Sequence, residues 1–177
     1  WGTINTGTTA NFNSIYVIDS LNTITVGDSG KIYKTVDGGS NWARQSTGLT
    51  NENLTSEFFI NPTIGYITGS NGLLLKTSNG GSQWQKSTIS TYNLNDVYFK
   101  NSSNGFIVSE NGIIYKTIDG GSNWAEVFSG SIYFLNSIRF TDDMNGFIAG
   151  NSGTLLKTTD GGASWKNCNT QTTTTLN

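Results

Sequence analysis

Four copies of a nine-residue run carry an acid or its amide at one fixed place: Asp37 in KTVDGGSNW, Asn79 in KTSNGGSQW, Asp119 in KTIDGGSNW and Asp160 in KTTDGGASW. A carboxylate on a glycine-rich turn could hold a calcium ion or pass a proton. Calcium asks for about six to eight oxygens, whereas each run offers one carboxylate with no acidic neighbour in its turn. Asn79 removes the charge from one copy altogether. The same residue types also make a lock: an Asp opening a turn accepts bonds from backbone N–H groups two or three residues on, and paired glycines take positive φ without strain. The lock is the expected role, and no metal or cofactor is expected.

Other chemistry is thinly provided. The chain has no histidine, which removes Ser-His-Asp and Cys-His catalysis and the commonest zinc ligand. Cys168 is the one cysteine, so no internal disulfide can form, and its place after the last run with Lys166 nearby reads as an inert thiol on a final strand. Asp142 and Asp143 are adjacent in sequence and read as a hydrogen-bonded turn. A pair of carboxylates from different repeats, such as Asp28 and Glu110, is the remaining route to catalysis, of the kind glycosidases use.

The 177 residues suffice for one substantial core. With a net charge of −2, 12% charged residues and scattered Lys and Arg, no basic stripe is available to neutralise a phosphate backbone, so nucleic acid is excluded as a partner. Asn, Thr, Ser and Gly fill the spaces between apolar runs, a balance expected of a secreted or cell-surface protein. No apolar run reaches the roughly 18 residues of a membrane span. A chain opening on Trp rather than Met is expected of a processed or excised piece.

The elements that position the runs follow from spacing. Trp42, Trp84, Trp124 and Trp165 lie 42, 40 and 41 residues apart, with Trp1 a further 41 before the first. Each unit reads as four strands. The first are NSIYVID, TSEFFIN, NDVYFKN and NSIRFTD, rich in aromatic and β-branched residues. The second are TITVGD, IGYITGS, NGFIVSE and NGFIAGN, which turn through Ser29-Gly30, Asn71-Gly72, Asn111-Gly112 and Ser152-Gly153. The third strands KIYKT, LLLKT, IIYKT and TLLKT are nearly continuous apolar runs, implying burial on both faces. The Trp of each run is expected to enter the fourth strand as a core anchor. Helix has no support, since no segment sustains a 3.6-residue apolar period. The expected fold is all-β: a β-propeller of four-stranded antiparallel blades of about 41 residues, four full repeats plus one extra N-terminal fourth strand. An open solenoid of hairpins is the alternative. Residues 1–170 would form the propeller, with 1–7 an outer strand of an incomplete or closing blade and 171–177 a Thr-rich tail or linker.

The pattern Thr-x-Asp-x-Gly-x-x-Trp is read at Thr35, Asp37, Gly39 and Trp42, and again at Thr117, Asp119, Gly121 and Trp124. It recurs at Thr158, Asp160, Gly162 and Trp165, and with Asn at Thr77, Asn79, Gly81 and Trp84. It resembles the Asp-box of sialidase-like (BNR-repeat) propellers, and its KTxDGGxxW form looks most like the photosystem II assembly factor-like propellers common among secreted bacterial proteins. The Ser or Thr that the family prefers before the aromatic is kept only at Ser164; Asn41, Gln83 and Asn123 replace it. Sialidases of this fold clamp a carboxylate with three arginines, and this chain has only Arg44 and Arg139, so the resemblance implies fold without sialidase activity. Assembly factor relatives imply chaperoning of a membrane complex, and xyloglucan-cleaving relatives imply a glycosidase.

Loops joining strands two and three, and each blade to the next, are where propellers place a binding face, and here they differ between repeats. The candidate tips are Asp28, Ser70, Glu110 and Asn151. Leu49, Asn53 and Asn93 lie in the connections, as do the aromatics Tyr92, Tyr133 and Phe134, which could stack on a sugar or a protein partner or be the last buried residues before each first strand. Lys34, Lys76, Lys116 and Lys157 recur at one position and are expected to lay their stems over neighbouring strands with the ammonium in water. The function expected is a non-catalytic extracellular module that binds protein or glycan or serves as a structural or assembly unit, with self-association or docking of another propeller segment as a further expectation. The alternative is a glycoside hydrolase fragment.

Overall fold

The computed structural model describes residues 7–49 and 51–177. The segment read as an extra N-terminal strand lies, but for Gly7, outside the described residues. The described strands form four antiparallel sheets of four, each in sequential order. The first blade holds β1 (Phe12–Val17), β2 (Thr23–Gly27), β3 (Lys31–Thr35) and β4 (Ala43–Gln45). The second holds β5 (Leu54–Phe59), β6 (Gly65–Gly69), β7 (Leu73–Thr77) and β8 (Gln85–Thr88). The third holds β9 (Leu94–Phe99), β10 (Gly105–Ser109), β11 (Ile113–Thr117) and β12 (Ala125–Phe128), and the fourth β13 (Leu135–Phe140), β14 (Gly146–Gly150), β15 (Leu155–Thr158) and β16 (Lys166–Asn167). This is the propeller class with its blades as expected. No helix among the described residues is long and apolar enough to cross a membrane.

Local chemistry sets the hairpins. Ser29, Asn71, Asn111 and Ser152 take φ of 55°, 56°, 59° and 55°, and the glycine after each takes 65° to 70°. Two consecutive positive φ values match the right-handed twist of the flanking strands, which is why Asn-Gly serves so well here. A second recurring device closes the other end of the first hairpin. Gly65, Gly105 and Gly146 stand opposite Phe59, Phe99 and Phe140 in the strand register. A Cβ on Gly65 would come within 2.5 Å of the Phe59 ring, so the aromatic lies over the glycine in the space a side chain would need.

Burial corrects one reading of the strands. The second strands β6 and β10 are buried at every position, more completely than the third. Fourth strands are exposed: all four residues of β8 face solvent. The Trp of each run stands one residue before its fourth strand rather than inside it. Trp165 is 8% exposed, while Trp42, Trp84 and Trp124 are only half-buried. The fourth strand is the outermost of its sheet, so a ring at its start reaches over the core from the edge and is covered only as far as neighbouring side chains extend.

The chain divides into two compact units. One comprises residues 1–70 with 74–87, hence the first blade and most of the second. In it Tyr16 packs on Phe58 and Phe59, and Phe59 meets the Trp84 ring edge-on at 6.2 Å. Residues 71–73 and 88–177 make the other unit. Its core joins Phe106, Ile114, Leu135, Ile138, Ile148, Leu156 and Trp165. Phe106 stacks on Phe140 at 4.9 Å between ring centres.

Candidate functional site

The four boxes occupy the turns between third and fourth strands, and in each the polar atoms face one another. Thr117 Oγ1 donates to Asp119 Oδ1 at 2.8 Å and accepts from Gly121 N at 2.9 Å. Asp119 Oδ1 also accepts from Asn123 N at 2.9 Å, and Oδ2 from Asn123 Nδ2 at 2.7 Å. The first box repeats this with Thr35, Asp37, Gly39 and Asn41, and the fourth with Thr158, Asp160, Gly162 and Ser164. Asn79 keeps the essential acceptor: its Oδ1 takes bonds from Thr77 Oγ1 at 3.0 Å and Gln83 N at 2.9 Å. Asn41 bonds hold Asp37 down to about 2, and Asn123 bonds hold Asp119 there. Ser164 lowers Asp160 further. Asn41 and Asn123, which depart from the family's Ser or Thr, thus do the work that Ser164 Oγ does at 2.6 Å. Carboxylates so engaged hold the turn.

Among the described residues no cluster of three or more His, Cys, Asp or Glu side chains stands ready for a metal. Asp142 accepts from Met144 N, Asn145 N and Asn145 Nδ2, which lowers its pKa, chiefly through the Asn145 side chain. Asp142-Asp143 is therefore a turn, as its sequence suggests. Cys168 is half-buried, with its backbone N–H on Leu155 O at 2.7 Å.

The tips between second and third strands lie against the connections that lead out of each blade. Gly30 N donates to Glu52 O, Ile89 N to Gly72 O and Gly153 N to Thr174 O. A Cβ on Gly72 would strike the Ser90 backbone and one on Gly112 the Ser131 backbone. Tip and connection therefore form one ledge in each unit, and glycine is required where they touch.

The four candidate tip residues are held by local bonds. Asp28 accepts from Asn11 and Asn13, each at 3.0 Å. Ser70 Oγ accepts from Asn53 N at 3.0 Å, Glu110 Oε1 from Asn93 Nδ2 at 3.0 Å, and Asn151 Oδ1 from Asn136 Nδ2 at 2.9 Å. Each ties its tip to the segment that opens its own blade's first strand. The connecting aromatics behave differently: Tyr92, Tyr133 and Phe134 keep 39%, 47% and 40% of their surface in solvent. They belong to the same unit, which also presents Phe128 at 88% and Ile132 at 80% exposure. The Tyr115 hydroxyl donates to Ser90 Oγ at 2.9 Å, and burial pushes its pKa up.

Sequence reading missed two sets of residues. Asn13, Asn95 and Asn136 donate to Leu54 O, Leu135 O and Leu176 O at 2.8 to 2.9 Å, tying a first strand to the next repeat's opening. Their signal was an Asn directly after an apolar residue, as in Phe12-Asn13, Leu94-Asn95 and Leu135-Asn136. Phe128 and Ile132 were hidden because an apolar residue in a strand or connection gives no sign of facing out. The repeated lysines also depart in part from expectation. Lys76, Lys116 and Lys157 lie over the rings of Tyr66, Phe106 and Phe147, but Lys34 Nζ donates to Gly80 O at 2.7 Å instead of ending in water.

A family model described as photosynthesis system II assembly factor YCF48 matches residues 1–92 and 88–175. A search of curated proteins finds no match. Among solved structures, YCF48 bound to D1 peptide is similar at 18% identity with a TM-score of 0.66, over 93% of this chain and 82% of that one. YCF48 from Cyanidioschyzon merolae is similar at 17% identity and 0.74, over 97% and 63%. The GH74 xyloglucanase from Xanthomonas campestris is 12% identical at 0.72, and the likeness spans 89% of this chain but 30% of that enzyme.

Proposed function

The chain belongs to the photosynthesis system II assembly factor YCF48 family, and on that premise we propose that it is a non-catalytic, extracytoplasmic propeller module that binds an extended protein segment along the ledge formed by residues 90–93 and 128–134. The exposure of the apolar and aromatic residues Tyr92, Phe128, Ile132, Tyr133 and Phe134 on the connections and strand end of one unit carries this reading. Large apolar groups left in water on the loops of a soluble protein mark candidate partner contacts. Tyrosines and phenylalanines held by a rigid scaffold make strong interface anchors because they bury large area while losing little rotamer freedom. A relative solved with a D1 peptide supports a protein ligand over a glycan.

The hydrolase reading draws on the GH74 likeness. Against it, Asp28 accepts amide bonds from Asn11 and Asn13 and Glu110 Oε1 accepts one from Asn93, so each carboxylate is tied to the opening of its own blade's first strand. Titration with a panel of extended apolar peptides, read by fluorescence anisotropy, tests the proposal. Tyr133→Ala with Phe134→Ala is expected to weaken binding about 10-fold or more without moving the thermal midpoint. Unchanged peptide affinity overturns it, as does xyloglucan cleavage that Asp28→Asn with Glu110→Gln abolishes.

A further inference from the structure

The third sheet runs β12-β11-β10-β9, so β12 stands at its edge. In an antiparallel ladder alternate residues turn both N–H and C=O toward one neighbour, and the residues between turn theirs the other way. The other blades fix the phase. Cys168 N, three residues after Trp165, donates inward to Leu155 O at 2.7 Å, and Ile89 N, five after Trp84, donates to Gly72 O at 3.0 Å. The third blade keeps this register, since Tyr115 stands opposite Glu126 as Leu156 stands opposite Asn167. Ala125 and Val127 therefore bond to β11, and Glu126 and Phe128 turn their backbone groups away from the sheet.

The side chains at these two outward positions set β12 apart from the other edges. The first, second and fourth blades place Arg44 and Ser46, Lys86 and Thr88, and Asn167 and Asn169 there. Polar groups and cations along an edge discourage a further strand, and Lys86 is also engaged by Glu52 at 2.8 Å. In β12 the pair is Glu126 and Phe128, with Phe128 88% exposed. Val127 between them packs on the core, which holds the strand from behind.

We propose that the extended segment bound by this chain adds to β12 as a fifth strand, antiparallel like every other pair in that sheet. This rests on the reading that the ligand is an extended protein segment, and it adds how the segment is held and which sequence it prefers. Another extended backbone supplies the alternating donors and acceptors that the outward groups of Glu126 and Phe128 need. Side chains directly opposite on one face are neighbours in such a pair. The ligand residue facing Phe128 is therefore apolar, and the residue two places later, facing the Glu126 carboxylate, is basic.

The test uses fluorescently labelled heptapeptides of threonine and valine, with valine placed to face Phe128 and lysine two residues later, titrated by anisotropy. N-methylation of the backbone at either of those residues should weaken binding about 10-fold or more, while methylation of the residue between should leave it unchanged, because only alternate amides point at β12. Glu126→Pro removes an outward N–H and spares the bonds to β11, so it should weaken binding to a similar degree with the circular dichroism melt near that of the parent. Glu126→Lys should reverse the preference for lysine over glutamate in the peptide, each preference being about 2- to 5-fold. Binding that ignores both N-methylation and Glu126→Pro overturns the strand pairing and leaves the aromatic ledge as the binding surface. A preference that Glu126→Lys does not reverse overturns the assigned sequence selectivity. Failure of every peptide to bind, methylated or plain, overturns the pairing together with the proposed function.

Discussion

Thr117 supports its turn from both sides, donating to Asp119 and accepting from Gly121. It is 1% exposed, so Thr117→Val removes a buried acceptor and leaves the partly buried Gly121 N–H without it. Such a loss costs roughly 1 to 3 kcal/mol, measurable in a denaturant melt. Asp119→Asn should cost visibly less, because Asn79 already closes the second box with one amide oxygen. This pair of substitutions tests whether the turn needs the carboxylate's charge: a loss on Asp119→Asn as large as that on Thr117→Val would mean that it does. The box was legible in the sequence because its logic is local, with donor, acceptor and positive-φ glycines all within eight residues. The tip residues were not. Asp28 and Glu110 vary between repeats as ligand contacts would, yet both bind asparagines about 17 residues away, a pairing that only the strand register creates.

At the level of strands, the four boxes are not equivalent anchors. Trp165 is buried against Phe106 and Phe140, with ring centres 6.5 and 5.9 Å away, whereas Trp124 is half-buried. Trp165→Ala is therefore expected to cost about 3 to 5 kcal/mol and Trp124→Ala less, compared by equilibrium unfolding under identical conditions. Gly162→Ala should rival the larger loss, since its φ is +80° and a Cβ would lie 2.5 Å from the Phe106 ring. Amide exchange should follow burial across each sheet. Slow exchange is expected in β6 and β10, buried throughout, and fast exchange in the solvent-facing β8. Strand positions were readable from alternating turn and apolar signals. The extent to which each Trp is covered was not, because it depends on side chains about 20 to 60 residues away in sequence.

Taken as a whole, the molecule should be insensitive to pH in the neutral range and sensitive to acid. It has no histidine, and Asp37 and Asp119 are lowered from 3.8 to about 2. A group whose folded pKa lies below its unfolded value stabilises the fold above the unfolded pKa, and that stabilisation disappears as pH falls through the folded one. The thermal midpoint should thus be nearly flat from about pH 5 to 8 and fall between about pH 4 and 2. Removing the charge at both sites by Asp37→Asn with Asp119→Asn should flatten the acid limb, which a series of melts would show. The sequence alone determined the repeat, the number of full blades, the hairpin conformations and the box, because each depends on residues a few positions apart and on φ values that only certain side chains tolerate. Which apolar groups stay in water was decided only in three dimensions. Phe12 and Leu54, or Phe147 and Phe106, look alike in the chain, and what separates them is whether another blade lies across the sheet.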